Sequence, residues 1–273
     1  INFSVPAERM FGYSAAEVKG KNVSVLMPEP YAREHDRYIS AYQKTGRARI
    51  IGIGREVQAK RKTGEVFPID LAVTEITHSG ETQYVGIIRD ITEQKENARK
   101  LEYLANFDEQ TGLPNRHRFL DLVEKRIESQ LPIAVAAVNI DYFNRVNTIH
   151  GHEEGDRVIQ LIAQRMRKTI GDSGWIARDL GDRFWVGVMQ DSTETSLAII
   201  DELHSVLREP FKTAFQTHYL TASVGVSLSG GDENASGLLS QADTATSNAR
   251  HSGRDKVAVY RAEISNSVVT DAK

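Results

Sequence analysis

The stretch "ITEQKENARKLEYLANF", which starts at Ile91, divides the chain into two halves with different patterns. It contains no glycine or proline and is rich in helix-forming residues, so it predicts a polar helix. Because 273 residues exceed the usual size of one compact domain, a helix in this position predicts two domains joined by a linker. The predicted divisions are an N-terminal domain over residues 1–92, a linker over 93–107, a second domain over 108–262 and a tail over 263–273.

The predicted linker helix carries a short apolar repeat. Ile91, Ala98 and Ala105 are spaced by sevens, and Leu101 lies between them. A seven-residue repeat favours a parallel coiled coil, which would make the protein a homodimer through the helix and the N-terminal domain. A solvated linker helix in a monomer is the alternative, and the short repeat leaves both open.

Composition excludes several classes of protein. The net charge of −3 offers no basic stripe for nucleic-acid binding. The chain has no cysteine, which excludes disulfides, thiolate metal sites and cysteine nucleophiles. No run approaches the roughly 18 apolar residues of a membrane span, and the first residues do not resemble a signal peptide. We therefore expect a cytoplasmic protein with no membrane segment in this stretch of sequence.

The first domain alternates short helical and strand patterns. Ser14 with Glu17 three residues later forms a capping-box pattern at a helix start. Two strands follow, joined by a turn at Thr63-Gly64, and Phe67 and Ile69 begin an alternation of apolar residues on one face of the second. The pattern predicts a small α+β domain with an antiparallel sheet.

The segment "LMPEPYAREHDRYISAYQKTGRARIIGIGREVQAKRKTGEVFPIDLAV" carries a specific resemblance. It is similar to the haem-binding PAS domain of FixL-type oxygen sensors. The resemblance implies haem b as a cofactor, with His35 as the proximal iron ligand and Arg55 in contact with bound oxygen. The apolar wall of the haem pocket would comprise Ile50, Leu71 and Val73.

Two positions depart from that family. Arg49 stands in place of a histidine that contacts a haem propionate, and Ala41 stands in place of a helical arginine. A different PAS ligand, or none, is therefore the alternative to haem.

The second domain has the predicted element order β-α-β-β-α-β. Its first strand is the apolar run "PIAVAAVNID", and its last is "KVAVY". This order predicts a ferredoxin-like α/β sheet with helices packed against one face. His204 and His218, which fall in this half, are predicted to be surface residues.

Four motifs in this half lie in a characteristic order: "TGLPNR", "GHEEGD", "LGDRF" and "ADTATSNARHSGRDKVAVY". Over about residues 106 to 261 they resemble a GGDEF domain, the fold of bacterial diguanylate cyclases. In that family two GTP molecules on two domains are joined, and divalent cations held by carboxylates offset the triphosphate charge.

The resemblance also implies a degenerate catalytic signature. The signature turn reads Leu180, Gly181, Asp182, Arg183, Phe184. Asp182 keeps one metal-ligand position, whereas Arg183 replaces the family's glutamate and cannot act as a base. Asn139 replaces the metal-binding aspartate at the end of the first strand. These changes predict that the domain is not an active cyclase.

The nucleotide-binding positions are better kept. Asn147 and Asp156 match the residues that contact guanine in the family, and Arg250 and Arg254 match two phosphate-contacting positions. Asn144 replaces the family's phosphate-contacting lysine. An ionised carboxylate accepts the paired N–H donors of guanine, so GTP binding is predicted, with or without Mg²⁺.

These features together predict a sensory and regulatory module in which a PAS domain is coupled to an inactive GGDEF domain. The tail "AEISNSVVTDAK" resembles the lead-in to an EAL phosphodiesterase domain, which the pair would regulate. Two alternatives stay open. One is a divergent active cyclase that uses Asp182 and Asp141 for metal, and the other is a dimerisation scaffold without a ligand.

Overall fold

The structure is a computed structural model that describes residues 1–45, 54–78, 81–230 and 233–261. The chain separates into two compact units, Ile1–Leu101 and Glu102–Lys273, each of which is described by itself. Arg49, Ile50 and the tail over 263–273 lie outside the described residues.

The N-terminal unit begins with short helices. They are α1 (Val5–Phe11), α2 (Ala15–Val18), a 3₁₀ turn (Val23–Leu26) and α3 (Tyr31–Thr45). The capping box is confirmed at the start of α2, where the Ser14 amide donates to Glu17 Oε2 at 2.9 Å and the Glu17 amide donates to Ser14 Oγ at 3.3 Å. Both exchanges satisfy amides that the first helical turn leaves unpaired.

An antiparallel sheet completes this unit, as predicted. Its strands are β1 (Arg55–Lys60), β2 (Val66–His78) and β3 (Glu81–Asp90), in the order β1-β2-β3. Gly64 has a φ of 92° in the turn between β1 and β2, a left-handed conformation that favours glycine. Phe67 and Ile69 are buried with Phe11 and Leu26 in the core between the sheet and the helices.

The linker helix α4 spans Thr92–Asn106. The predicted heptad is wrong at its first position, because Ile91 precedes the helix and is buried with the N-terminal unit at 4% exposure. Ala98, Leu101 and Ala105 are exposed on the helix. Tertiary burial of Ile91 therefore removes one of the apolar positions on which the coiled-coil pattern depended.

The C-terminal unit is built around a mixed sheet whose described strands run in the order β10-β9-β4-β6-β5. The strands and helices, in chain order, are α5 (Arg116–Glu128), β4 (Ala134–Ile140), α6 (Phe143–His150), α7 (His152–Ile170), β5 (Gly174–Arg178), β6 (Arg183–Val188), α8 (Thr193–Leu207), β7 (Phe211–Lys212), β8 (Thr217–His218), β9 (Ala222–Leu228), α9 (Ala235–His251) and β10 (Lys256–Val259). A 3₁₀ turn, Gly171–Ser173, follows α7. Every helix within the described ranges is too short or too polar to cross a bilayer.

Helices cover both faces of this sheet, so the predicted packing against one face is wrong. Ala136 and Val138 of β4 face a core formed with α6, α7 and α8. Val135 and Ala137 face a second core formed with α5 and α9. Because β4 is apolar on both of its faces, each face needs a cover to exclude water.

Candidate functional site

The signature turn joins β5 to β6 and lies against the end of β4. Gly181 has a φ of 66°, and the Arg183 amide donates to Leu180 O at 3.3 Å to close the turn. The Ile140 amide of β4 donates to Asp182 O at 3.2 Å. Leu180 is 85% exposed. The turn therefore holds Asp182 beside the end of β4.

Arg183 lies directly across from Asn139 in the antiparallel pairing of β4 and β6. Its guanidinium forms an ion pair with Asp243 of α9 and a second with Asp179 at 3.5 Å. It also lies over the Trp185 ring, 4.8 Å from the centroid. The two positions at which the family would carry acids are thus neighbours, and the cation at one of them is already neutralised within the fold.

The two remaining carboxylates of this end, Asp182 and Asp141, do not form a free metal-binding pair. Asp141 is buried at 3% exposure and accepts hydrogen bonds from Thr221 Oγ1 and Ser223 Oγ, each at 2.8 Å. Burial raises the pKa of Asp182, nearby Asp141 adds to the rise, and Arg250 opposes it. Arg254 Nε lies 3.9 Å from Asp141 Oδ1, so the charge of Asp141 is partly offset within the fold.

A cluster of cations lies just past β4. The Arg254 guanidinium donates to the Tyr142 hydroxyl at 3.1 Å, and Arg254 and Arg145 each lie 4.7 Å from the centre of the Tyr142 ring. Arg250 is exposed near the end of α9. The sequence reasoning missed Arg145, although it directly follows Asn144. It supplies a cation next to the position at which the family's lysine is lost.

The predicted guanine-contacting residues are brought together by the close approach of α6 and α7. A Cβ atom added to Gly155 would lie 1.9 Å from Asn147 Oδ1, so a larger residue there would displace the Asn147 side chain. Asp156, the next residue, is exposed and accepts one hydrogen bond from Gln110 Nε2 at 2.8 Å. The structure therefore places an amide and an accessible carboxylate at one helix junction.

A buried polar cluster anchors the start of α7. Glu154, 4% exposed, accepts hydrogen bonds from His218 Nε2 at 2.9 Å and Thr213 Oγ1 at 2.6 Å. These bonds hold the pKa of Glu154 at about 2. The prediction that His204 and His218 are surface residues is wrong, because both are 7% exposed. Each is buried because its ring nitrogen has a polar partner in the fold, which for His204 is Ala222 O at 3.1 Å.

The predicted ligand residues of the N-terminal unit lie on α3 and on the sheet. The His35 side chain is 16% exposed, and its Nδ1 lies 3.3 Å from Asp36 Oδ1. Leu71 and Val73 are half-buried on the core-facing side of β2, and Arg55, paired with Leu71 across the strands, is exposed. A carboxylate on Nδ1 leaves Nε2 as the ring nitrogen for a metal, which is the usual arrangement of ligating histidines. His35 would therefore be able to hold an iron through Nε2.

Comparison with known families agrees with this architecture. Residues 105–256 match the family model described as diguanylate cyclase, GGDEF domain, which is more than half of the chain. The protein therefore belongs to the GGDEF family. Residues 1–93 match a PAS domain model.

Individual relatives match parts of the chain. The chain is 46% identical over 102 residues to the sensor protein FixL of Bradyrhizobium diazoefficiens, a match that covers 37% of this chain and 20% of FixL. It is 32% identical over 184 residues to the cyclic di-GMP phosphodiesterase PdeR of Escherichia coli, with 66% of this chain and 28% of PdeR covered. The matched region thus spans less than a third of either relative.

A solved structure shows the same fold in the C-terminal unit. The coiled coil and GGDEF domain of DgcB from Caulobacter crescentus, in complex with c-di-GMP, superposes with a TM-score of 0.56 at 22% identity. The match covers 62% of this chain and 93% of that one. At this identity the likeness extends to the fold alone.

Proposed function

We propose that this chain is the sensory and regulatory part of a cyclic di-GMP signalling protein. In this proposal the PAS domain binds a ligand, and the GGDEF domain binds GTP without converting it to cyclic di-GMP. The observation that carries the proposal is the pairing of Arg183 with Asp179 and Asp243, directly across from Asn139.

Loss of cyclase activity follows from the charge at the signature turn. Two divalent cations beside a triphosphate need several carboxylate oxygens. At this turn an arginine and an asparagine occupy two of the acidic positions, and the oxygens of Asp141 are engaged by Thr221 and Ser223. The divergent-cyclase alternative requires a metal to reach Asp141, which is 3% exposed and already lies 3.9 Å from the Arg254 guanidinium.

Retained GTP binding is supported by residues outside the signature turn. Asp156 is exposed beside Asn147, and Arg254 and Arg145 flank Tyr142 past the end of β4. Guanidinium groups bind phosphate oxygens without a metal, so binding of GTP should depend weakly on Mg²⁺.

Regulation of an EAL phosphodiesterase is the second part of the proposal. It is supported by the similarity to PdeR, which is a cyclic di-GMP phosphodiesterase, and by the resemblance of the tail sequence to the segment that precedes an EAL domain. The exposed α4, which joins the two units, is the proposed path of the signal and the proposed contact in a homodimer. A ligand-free dimerisation scaffold remains the rival function.

Haem is the proposed PAS ligand. The similarity to FixL supports it, as does the position of His35 with its Nδ1 against Asp36. When bound, haem would supply an iron centre for a diatomic gas. His35 would hold the iron, Leu71 and Val73 would exclude water, and Arg55 would turn inward to donate a hydrogen bond.

The nucleotide proposal is tested with purified protein, GTP and Mg²⁺. We expect heat of binding in calorimetry, tighter binding of GTP than of ATP, and no cyclic di-GMP by chromatography. Product that disappears in Asp182→Ala would support the divergent cyclase instead. Absence of binding would reduce the domain to a scaffold.

The haem proposal is tested by absorption spectroscopy. We expect a Soret band in the wild-type protein, none in His35→Ala, and an unchanged band in the control His117→Ala, whose exposed histidine lies in the other unit. Arg55→Ala should keep the haem and bind oxygen more weakly. Normal haem content in His35→Ala would place the iron ligand elsewhere.

A further inference from the structure

Gln110, in the loop between α4 and α5, joins three parts of the C-terminal unit. Its Nε2 donates to Asp156 Oδ1 at 2.8 Å, and its Oε1 accepts a hydrogen bond from Arg178. Its backbone oxygen accepts from Gln160 Nε2 of α7 at 3.2 Å. The half-buried Gln110 is thus held on both sides of its amide group and through its backbone.

Arg178 continues this connection to the signature turn. Its guanidinium donates to Gly181 O from Nη2 at 2.9 Å and from Nε at 3.2 Å, and it pairs with Asp108 at 3.0 Å. The residue is 9% exposed. A buried arginine in these contacts has little freedom, so the turn and Gln110 share one rigid partner.

The chemistry of the partners fixes the orientation of the Gln110 amide. A guanidinium only donates hydrogen bonds, so Gln110 must present its oxygen to Arg178. The amide nitrogen then necessarily faces Asp156, which as a carboxylate only accepts. The reversed amide would set like groups against each other at both ends.

We infer that Gln110 is a positioning residue for guanine recognition, which orients the Asp156 carboxylate and couples it to the signature turn through Arg178. This inference rests on the proposed binding of GTP. Gln110 occupies one oxygen of Asp156 and leaves the second oxygen, with further lone pairs, for the N–H donors of guanine.

The expected benefit is preorganisation. An exposed aspartate samples several side-chain conformations, and ordering it upon binding reduces affinity. Gln110 orders the carboxylate before the nucleotide arrives. Because only a guanine base uses the carboxylate, loss of Gln110 should weaken GTP binding and leave ATP binding unchanged.

The test is calorimetry with GTP and ATP on the wild-type protein, Gln110→Leu, Gln110→Glu and the control Gln164→Leu. Gln164 is an exposed glutamine on the same helix as Asp156. Gln110→Leu removes both amide contacts at similar volume and should weaken GTP binding about fivefold to tenfold. Gln110→Glu keeps an acceptor for Arg178 but places a second negative charge beside Asp156. Its loss of GTP affinity should therefore be larger than that of Gln110→Leu. Gln164→Leu should match the wild type.

The outcomes separate this inference from the function on which it rests. No binding of GTP by the wild-type protein overturns the proposed function and with it a role for Gln110 in guanine recognition. Wild-type preference for GTP that persists in both Gln110 variants overturns the inference alone. Equal loss of GTP and ATP affinity assigns Gln110 a general structural role, which also overturns it.

A second measurement reports the coupling without nucleotide. Hydrogen exchange of the amides over residues 180–183 should be faster in Gln110→Leu than in Gln164→Leu, because Arg178 loses one of its acceptors. Unchanged exchange would show that the turn does not depend on Gln110.

Discussion

The signature turn and the α6/α7 junction satisfy their charges in different ways. At the turn, Arg183 is neutralised by Asp179 and Asp243. At the junction, the Asp156 carboxylate is exposed and has a single amide partner, Gln110. A charged group neutralised inside the fold must lose its partner before it can bind a ligand, whereas an exposed carboxylate exchanges only water. In the proposed function, the α6/α7 junction therefore keeps a group that can bind a nucleotide, whereas the signature turn has lost the charges that catalysis needs.

Glu154 anchors the start of α7 through hydrogen bonds from His218 and Thr213, so the first test of this comparison is Glu154→Ala. This change leaves the buried His218 without its carboxylate acceptor and removes one of the two acceptors of Thr213, and we expect a loss of about 3 kcal/mol in the free energy of unfolding at pH 7. The control Glu153→Ala, whose side chain is 90% exposed, should change stability by less than about 0.5 kcal/mol. Equal effects in urea unfolding would contradict a structural role for the cluster.

The same variant has a predicted pH dependence. The pKa of Glu154 is about 2 in the folded protein, below the usual 4.5, so the ionised carboxylate stabilises the fold above pH 4.5. This contribution is lost as the pH falls toward 2. The difference in the free energy of unfolding between the wild type and Glu154→Ala should therefore be constant from neutral pH to about pH 5 and become smaller below pH 5.

Arg183→Glu tests whether the signature turn depends on the neutralisation of Arg183 by Asp179 and Asp243. It sets a third carboxylate beside Asp179 and Asp243 and removes the cation over Trp185, and we expect a loss of about 2 kcal/mol in stability. Mg²⁺ should restore part of this loss, because hard cations bind clustered carboxylates. Thermal melts with and without Mg²⁺ measure both effects.

The control for that experiment is Arg208→Glu. Arg208 is half exposed and pairs with Asp255 at 2.8 Å, so its reversal should lower stability by less than about 1 kcal/mol, with no response to Mg²⁺. If Arg183→Glu behaves like this control, the pairing of Arg183 does not distinguish the signature turn from an ordinary surface.

Asp156→Ala tests whether the α6/α7 junction recognises the guanine base. We expect GTP affinity to fall about tenfold in calorimetry while ATP affinity stays the same, since the carboxylate contacts only the guanine base. Glu153→Ala, three residues earlier on the same helix, should leave both affinities unchanged. Preserved preference for GTP in Asp156→Ala would move base recognition to another residue.

The smallest expected effect belongs to Asp182→Asn. Burial raises the pKa of Asp182, so the folded protein holds this proton more tightly than the unfolded chain does, and ionisation opposes folding as the pH rises. The variant should therefore melt slightly higher than the wild type at pH 7, and the difference should vanish at acidic pH. A lower melting temperature at pH 7 would show that ionised Asp182 has a stabilising partner.

Much of the fold could be predicted from local pattern. The capping box at Ser14, the turn at Gly64 and the apolar alternation that begins at Phe67 depend on residues close in sequence, and each appears as expected. The second layer of helices was missed, although the consecutive apolar residues of β4 are the pattern of a strand that is covered on both faces. The burial of Ile91 was missed because it depends on tertiary structure, in which the Ile91 amide donates to Pro68 O of β2 at 3.2 Å.

In the candidate site, too, some features could be predicted from local sequence and others depend on distant contacts. Asn147 and Asp156 could be found from motifs, because nine residues separate them along two consecutive helices. The pairing of Arg183 with Asp243 could not be predicted, since Asp243 is sixty residues away and lies on α9. Arg145, Arg178 and Gln110 were missed because ordinary polar residues acquire a role only through the contacts that the fold gives them.

The sequence by itself determined the order of elements, the PAS and GGDEF resemblances, and which residue types remain at each familiar position. Only the tertiary structure decided which of those charges are free to bind a ligand. Side-chain type is a local property, but the availability of a charge depends on partners that lie far apart in the chain. Arg183 and Asp156 are both charged residues in sequence, and long-range packing makes one a structural group and leaves the other accessible.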